Sequence, residues 1–324
     1  MRNFDPKALA VELRNSLRAN EIMSERVAEG SIKSTSTKPS RRVIVDADLP
    51  VATRLSVPPD TPSNAASVRG QKAAVEGSAS SSYRALRKPF EPGEIQIWCT
   101  DLCVRPDTLR TYERLLSLDE AARAARFRFD RDRRRFVVAR GVLRLLLAQL
   151  VGCEPADVRF ATNRFGKPWL AMPGAPHFSV SHSHELAAYA IAGEEVGIDI
   201  EWERPMVDVL EIARRFFARS EIAALEAVPI NGRDAAFLMH WTRKEACLKA
   251  NGVGLSGDLA SLSVRIGEDP NVVIIEDPRS HMPHEFRLQT VDVARGYLGA
   301  LATSCQVEEY HVCKWRHEPA AGCT

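Results

Sequence analysis

A chain of 324 residues is longer than one ordinary domain requires, so it holds either two domains or one domain with tails. Apolar residues make up 45% and charged residues 27%, and no apolar run approaches the roughly 20 residues of a membrane span, which excludes a spanning helix and predicts a soluble globular protein. The formal charge of +2 is too near balance to argue for bulk nucleic-acid binding, so local clusters of charge matter more than the total.

Seven scattered cysteines form no CxxC pair, and their odd number fits free thiols in a reducing cytoplasm better than a secreted disulfide framework. The first twenty residues lack the apolar core and cleavage site of a secretory signal, although Leu9, Leu13 and Leu17 would line one side of a short helix. From about Gly30 to Lys88 the chain is rich in Ser, Pro, Thr and Ala, with one short apolar run at Val43-Ile44-Val45. Such a composition cannot repay the entropy of ordering, so residues 1–90 are expected to be a mostly disordered extension.

Ordered structure is expected to begin at Gly93-Glu94-Ile95-Gln96-Ile97-Trp98-Cys99, which alternates like a strand. Asp119-Glu120 opens a helix with acids in its first turn. After a break near Asp130 a second helix carries Phe136, Ala139, Leu143, Leu146, Leu147 and Leu150 on a core stripe. Its other side, with the preceding segment, bears Arg123, Arg126, Arg128, Arg131, Arg133, Arg134, Arg135, Arg140 and Arg144. Most of these read as a solvated face, and some as grips for phosphate.

Asn163-Arg164-Phe165-Gly166-Lys167-Pro168-Trp169 is a turn, and Phe178 to Ser183 followed by Ala187 to Ala192 reads as a hairpin. Ser181-His182-Ser183 ends its first strand, either as hydrogen-bonded structure or as a phosphate seat. Gly197-Ile198-Asp199-Ile200-Glu201 is a strand that sends two isoleucines to one face and two carboxylates to the other. Asp199 and Glu201 would lie about 7 Å apart at Cα, and crowded carboxylates call for a hard cation such as Mg2+. An acid at every second position is also what any half-exposed strand shows on its wet side.

Val207 to Phe217 and Ser220 to Val228 are expected as two helices, and the adjacency of Phe216 and Phe217 predicts that at most one ring points straight into the core. His240 to Ala250 is a helix closed by Asn251-Gly252, with Glu245 and Lys249 on one face at i,i+4 spacing. The pair reads either as a surface ion pair or as a third carboxylate for the metal and an ammonium for a phosphate. Glu285 to Leu288 and Gly296 to Ala302 resemble strands, and their order echoes Pro176 to Ala192. This faint repeat predicts an α/β fold of two similar halves about a pseudo-two-fold axis. The expected boundaries are 91–194 for the first half, 195–312 for the second, and 313–324 for a C-terminal tail.

Taken in order, Gly166-Lys167-Pro168, Phe178 to Ser183, Gly197 to Glu201, and Trp241-Thr242-Arg243-Lys244-Glu245 through Lys249 resemble the signature of the 4'-phosphopantetheinyl transferases, in the larger surfactin-synthetase-activating (Sfp) type. The resemblance spans roughly Ile95 to Ala302 and implies a pseudo-dimer in one chain, monomeric in solution. It implies transfer of the phosphopantetheine arm of coenzyme A to a serine of an apo acyl or peptidyl carrier protein, with Mg2+ as cofactor and release of adenosine 3',5'-bisphosphate. Asp199, Glu201 and Glu245 would be the Mg2+ ligands. Lys167, Ser181 and His182 would bind coenzyme A, with Arg135, Arg123 and Arg126 near its nucleotide, and Lys249 would meet the reacting phosphate. Where the family often has Lys, this chain has Glu120.

From the residues themselves, Glu245 is the favoured proton acceptor because a helix can aim it across at the strand. Arg214 and Arg215 are expected to help receive an acidic carrier. The alternatives left open are another Mg2+-dependent phosphotransferase or phosphodiesterase, and a nucleic-acid-binding module on the Arg123 to Arg144 cluster.

Overall fold

The computed structural model describes residues 43–44, 90, 93–252, 264, 271–275, 284–305, 307 and 310–317. The expected extension over 1–90 lies outside the described residues apart from 43–44 and 90, and the end of the expected tail lies outside them from 318.

The first half runs from strand β2 (Ile95–Asp101) through helices α1 (Pro106–Leu115), α2 (Leu118–Ala125) and α3 (Asp130–Val151), a small hairpin of β3 (Phe160–Thr162) and β4 (Pro168–Leu170), and the hairpin β5 (His177–Ser183) and β6 (Leu186–Ala192). The second half repeats this plan with β7 (Val196–Trp202), α4 (Val209–Phe216), α5 (Arg219–Ala227), α6 (Arg233–Asn251), β8 (Asn271–Ile275), β9 (His284–Thr290) and β10 (Tyr297–Thr303). In each half the opening strand pairs antiparallel with the last strand of its hairpin, giving β2-β6-β5 in one sheet and β7-β10-β9 in the other. The repeat expected from the sequence is therefore present as matching strand order.

Two additions break the symmetry. Strand β8 extends the second sheet beyond β9, and β11 (Tyr310–Lys314) returns to the first sheet to lie parallel to β2. Strand β1 (Val43–Ile44) lies parallel to β11 at the outer edge. The expected boundary between second half and tail thus falls inside a strand of the first sheet. Beyond it, Trp315 Nε1 donates to the Tyr112 hydroxyl, and the His317 ring lies within hydrogen-bonding distance of Tyr112 and Thr100.

Period-two patterning sorts side chains into layers. Ile95, Ile97, Ala188, Ala190, Ile198, Ile200 and Leu301 share one cluster between the two sheets. Trp98, Phe178, Tyr189 and Ile191 face the other way, against α1 and α3, while Phe286, Leu288, Ala300 and Ala302 pack against α6. The result is helices, sheet, sheet, helices.

The halves also share a buried ion pair. Glu120, at the start of α2, accepts from the Ser117 amide and from the Arg140 and Arg144 guanidinium groups of α3. Glu221, at the start of α5, accepts from the Ala218 amide and from Lys244 of α6. Each long helix then ends on a left-handed glycine, Gly152 or Gly252.

One expectation is corrected here. Phe216 and Phe217 are both buried in the core of the second half. Helix α4 ends between them, and the extended backbone of Phe217 turns its ring inward rather than one helical step around. Within the arginine run most side chains are exposed or half-buried, as expected, and Arg144, 1% exposed, and Arg135, 9%, are the buried exceptions.

Candidate functional site

Helix α6 crosses β7 at Gly197, where a Cβ would land on the Ala246 carbonyl oxygen and the Ala250 amide. Glycine is required there because the backbones of helix and strand touch. That contact brings the Glu245 and Lys249 side of α6 to the acidic strand. Lys249 Nζ donates to Asp199 Oδ1 at 2.7 Å and to the Ile198 carbonyl at 3.1 Å. Glu245 is half-buried one turn earlier on the helix, and it is the longer Lys249 side chain that reaches Asp199.

From the other side comes β5, the edge strand of the first sheet. Its alternate serines cross the seam to β7. Ser179, Ser181 and Ser183 Oγ accept the amides of Ile198, Ile200 and Trp202 at 3.1, 3.2 and 3.0 Å. Ser181 also donates to Asp199 Oδ1 at 2.7 Å, and Ser183 donates to Glu201 Oε2 at 2.9 Å. The Ser181 hydroxyl proton is therefore directed at Asp199. His182, between them, is exposed on the opposite side of the strand.

Glu201 is also held by Arg204, whose Nη1 donates to Oε2 at 3.2 Å and to the Trp202 carbonyl at 2.9 Å. Burial pushes the Glu201 carboxyl up and Asp199 adds to it, while Arg204 and Ser183 oppose the shift, leaving it at about 7. The second Asp199 oxygen, Oδ2, is buried and has no hydrogen-bond partner among the described residues. Two oxygen donors on one strand face, one with an unanswered lone pair and the other resisting ionisation, suit a hard cation that would neutralise both. The set of three is not assembled. Among the described residues no group of three His, Cys, Asp or Glu side chains is placed to hold a metal, so Glu245 does not join Asp199 and Glu201 in this structure.

Lys167 caps the end of α6. Its Nζ donates to the Ala250 carbonyl at 2.8 Å, Asn163 Nδ2 donates to the Gly252 carbonyl at 2.8 Å, and burial lowers the lysine's pKa. A cation at a helix C-terminus answers carbonyls that have no intrahelical partner. Arg135 is buried, and acts electrostatically on the phenol of Tyr297, which pairs with Trp202 at the end of β7. Arg123 stacks on Phe136 and Arg126 is exposed at the end of α2. The structure thus gathers Ser181, Asp199, Glu201 and Lys249, sets Lys167 at the nearby helix end, and leaves Arg123 and Arg126 on the α2 surface. Arg214 is exposed and already paired with Glu211 and Glu226.

Ser179, Arg204 and Asn163 carry no role in the sequence reading, and Ser183 enters it only as part of Ser181-His182-Ser183, not as a partner of Glu201. The signal was available for the serines: their period of two matches the period of Asp199 and Glu201, but it becomes visible only when the two strands are read against each other.

Among the described residues the cysteines are free and no helix is long and apolar enough to cross a membrane. Residues 195–302 match a family model described as the 4'-phosphopantetheinyl transferase superfamily, and residues 105–196 match one described as 4'-phosphopantetheinyl transferase, N-terminal. The chain is 39% identical over 167 residues to the 4'-phosphopantetheinyl transferase HetI of a Nostoc species, covering 50% of this chain and 70% of that one. It is 32% identical over 203 residues to the 4'-phosphopantetheinyl transferase Sfp of Bacillus subtilis, covering 62% and 88%.

Proposed function

The chain belongs to the 4'-phosphopantetheinyl transferase family, and on that premise we propose that it transfers the 4'-phosphopantetheine arm of coenzyme A to a serine of an apo acyl or peptidyl carrier protein, depends on Mg2+, and releases adenosine 3',5'-bisphosphate. The observation that carries the proposal is the Lys249 to Asp199 contact of 2.7 Å beside a buried Asp199 oxygen that has no partner among the described residues. An ammonium and an acidic pair at one point are what a diphosphate and its counter-cation require.

In the reaction the carrier serine oxygen forms a bond to the phosphorus next to the pantetheine arm, and the bond from that phosphorus to the bridging oxygen breaks. The serine proton passes to Glu245, and adenosine 3',5'-bisphosphate departs with the bridging oxygen. Asp199, Glu201 and Glu245 are the carboxylates that would hold Mg2+. The ion, when bound, neutralises the diphosphate. Lys249 offsets charge on the departing phosphate. His182, Lys167 and Arg135 bind the phosphates and nucleotide of coenzyme A, and Arg123 and Arg126 extend that basic region. Arg214 and Arg215 meet the acidic carrier, acting as a monomer in the cytoplasm. The domain plan is an N-terminal extension over 1–90, a coenzyme A-binding half from 91, and a catalytic half from 195.

Intact-mass spectrometry of an apo carrier incubated with this chain, coenzyme A and Mg2+ tests the proposal. A gain of one phosphopantetheine, lost with EDTA, is expected. No gain across acyl and peptidyl carriers would overturn it.

A further inference from the structure

The seam between β5 and β7 joins two sheets without a backbone ladder. Three serine hydroxyls stand in for the missing carbonyl acceptors, one for each inward-facing amide of β7. A ladder of carbonyls would satisfy the same amides but would have no proton to give. A hydroxyl accepts and donates at once. Ser181 and Ser183 use this second capacity on Asp199 and Glu201, whereas Ser179 lies across from Gly197, which has no side chain to receive a bond.

We propose that Ser181 and Ser183 are positioning residues for the transferase site, fixing the Asp199 and Glu201 carboxylates through the same hydroxyls that hold the two halves together. This rests on the transferase reading above. Asp199 Oδ1 takes both the Ser181 hydroxyl and the Lys249 ammonium, which leaves Oδ2 as the oxygen presented for a cation. In the same way Ser183 and Arg204 both engage Glu201 Oε2, leaving Oε1 as the presented oxygen. Hydrogen bonds to the non-ligating oxygens fix the rotamers before any ion arrives. Because the serines belong to the first half and the carboxylates to the second, this row of contacts ties the spacing of the halves at the site to the aim of the carboxylates.

Ser179 supplies the internal control, since it makes the seam bond and no carboxylate bond. The experiment compares Ser179→Ala, Ser181→Ala, Ser183→Ala and Ser183→Thr with the unaltered chain. Mn2+ binding in the presence of coenzyme A is followed by the electron paramagnetic resonance of the free ion, alongside thermal melting and carrier modification at varied Mg2+. All three alanine variants should melt lower, because each strands one amide. Only Ser181→Ala and Ser183→Ala should weaken Mn2+ binding and raise the Mg2+ requirement, by roughly ten-fold or more. Ser183→Thr, which keeps a hydroxyl, should recover both. If Ser179→Ala weakens metal binding as much as the others, or the other two leave it unchanged, while the unaltered chain binds Mn2+ and modifies a carrier, this inference alone is overturned. An unaltered chain that does neither overturns the transferase reading and the inference with it.

Discussion

Lys244 Nζ donates to both carboxylate oxygens of Glu221, at 3.0 and 2.7 Å, with both side chains almost wholly buried. In the first half Glu120 is held by two cations instead, Arg144 on Oε2 and Arg140 on Oε1. Burial pushes the Glu221 carboxyl up, but His240, Lys244 and the Val264 amide outweigh it and hold it below the usual range. For Glu120, burial is likewise outweighed by Arg144, Arg140 and the Ser117 amide.

A pH dependence of stability follows from these lowered values. A glutamate with a depressed folded pKa contributes stability that is fully present above its unfolded value of about 4.3 and is lost as pH falls through the folded value. Urea midpoints should therefore be flat on this account near neutrality and fall below about pH 4.3. Glu221→Gln should lessen that acid sensitivity while lowering the midpoint at pH 7.

Removing the cation alone is more damaging. Lys244→Met leaves a buried carboxylate without its lysine cation and should cost about 3–5 kcal/mol in urea unfolding. The paired replacement Lys244→Met with Glu221→Leu should recover part of that loss, and failure to recover would mean that the pair is not the cause.

At Gly197 the contact is between backbones. Gly197→Ala should displace α6 from β7, cost about 1–3 kcal/mol, and reduce carrier modification more than the stability loss explains, because Lys249 moves with the helix. Transfer assayed well below the melting temperature separates the two effects.

Asp199→Asn should retain the fold by circular dichroism and abolish Mg2+-dependent transfer in the intact-mass assay. Full activity in that variant would remove Asp199 from the metal site.

His182 is exposed on β5, beside rather than within the serine row. His182→Ala should raise the coenzyme A dissociation constant by about ten-fold, a loss of about 1.4 kcal/mol, with a smaller effect on the rate at saturation. An unchanged constant in calorimetry would make the residue structural.

The strands and the duplication were legible because alternation such as Ile95 with Ile97, or Ile198 with Ile200, marks a face that must be buried. Helix α1 was passed over despite Pro106 at its start and the spacing of Leu109, Tyr112 and Leu115. The buried arginines were hidden for a different reason. A guanidinium in a basic run looks solvated until its carboxylate partner, twenty-four positions away for Arg144 and Glu120, is known. The acidic strand and the Glu245 and Lys249 face could be read from spacing, but which of the two reaches Asp199 depends on how closely α6 approaches β7. Gly197 sets that approach, and its meaning appears only with the helix in place.

The return of β11 to the first sheet makes the two halves topologically inseparable even though their strand orders match. A first half cut free near residue 194 would leave the outer edge of β2 bare, a row of unpaired amides and carbonyls that invites association with other chains. The second half would carry β11 with no sheet of its own to join. Two similar strand plans are joined in one connected structure, closed like a belt whose last hole is punched in the opposite end.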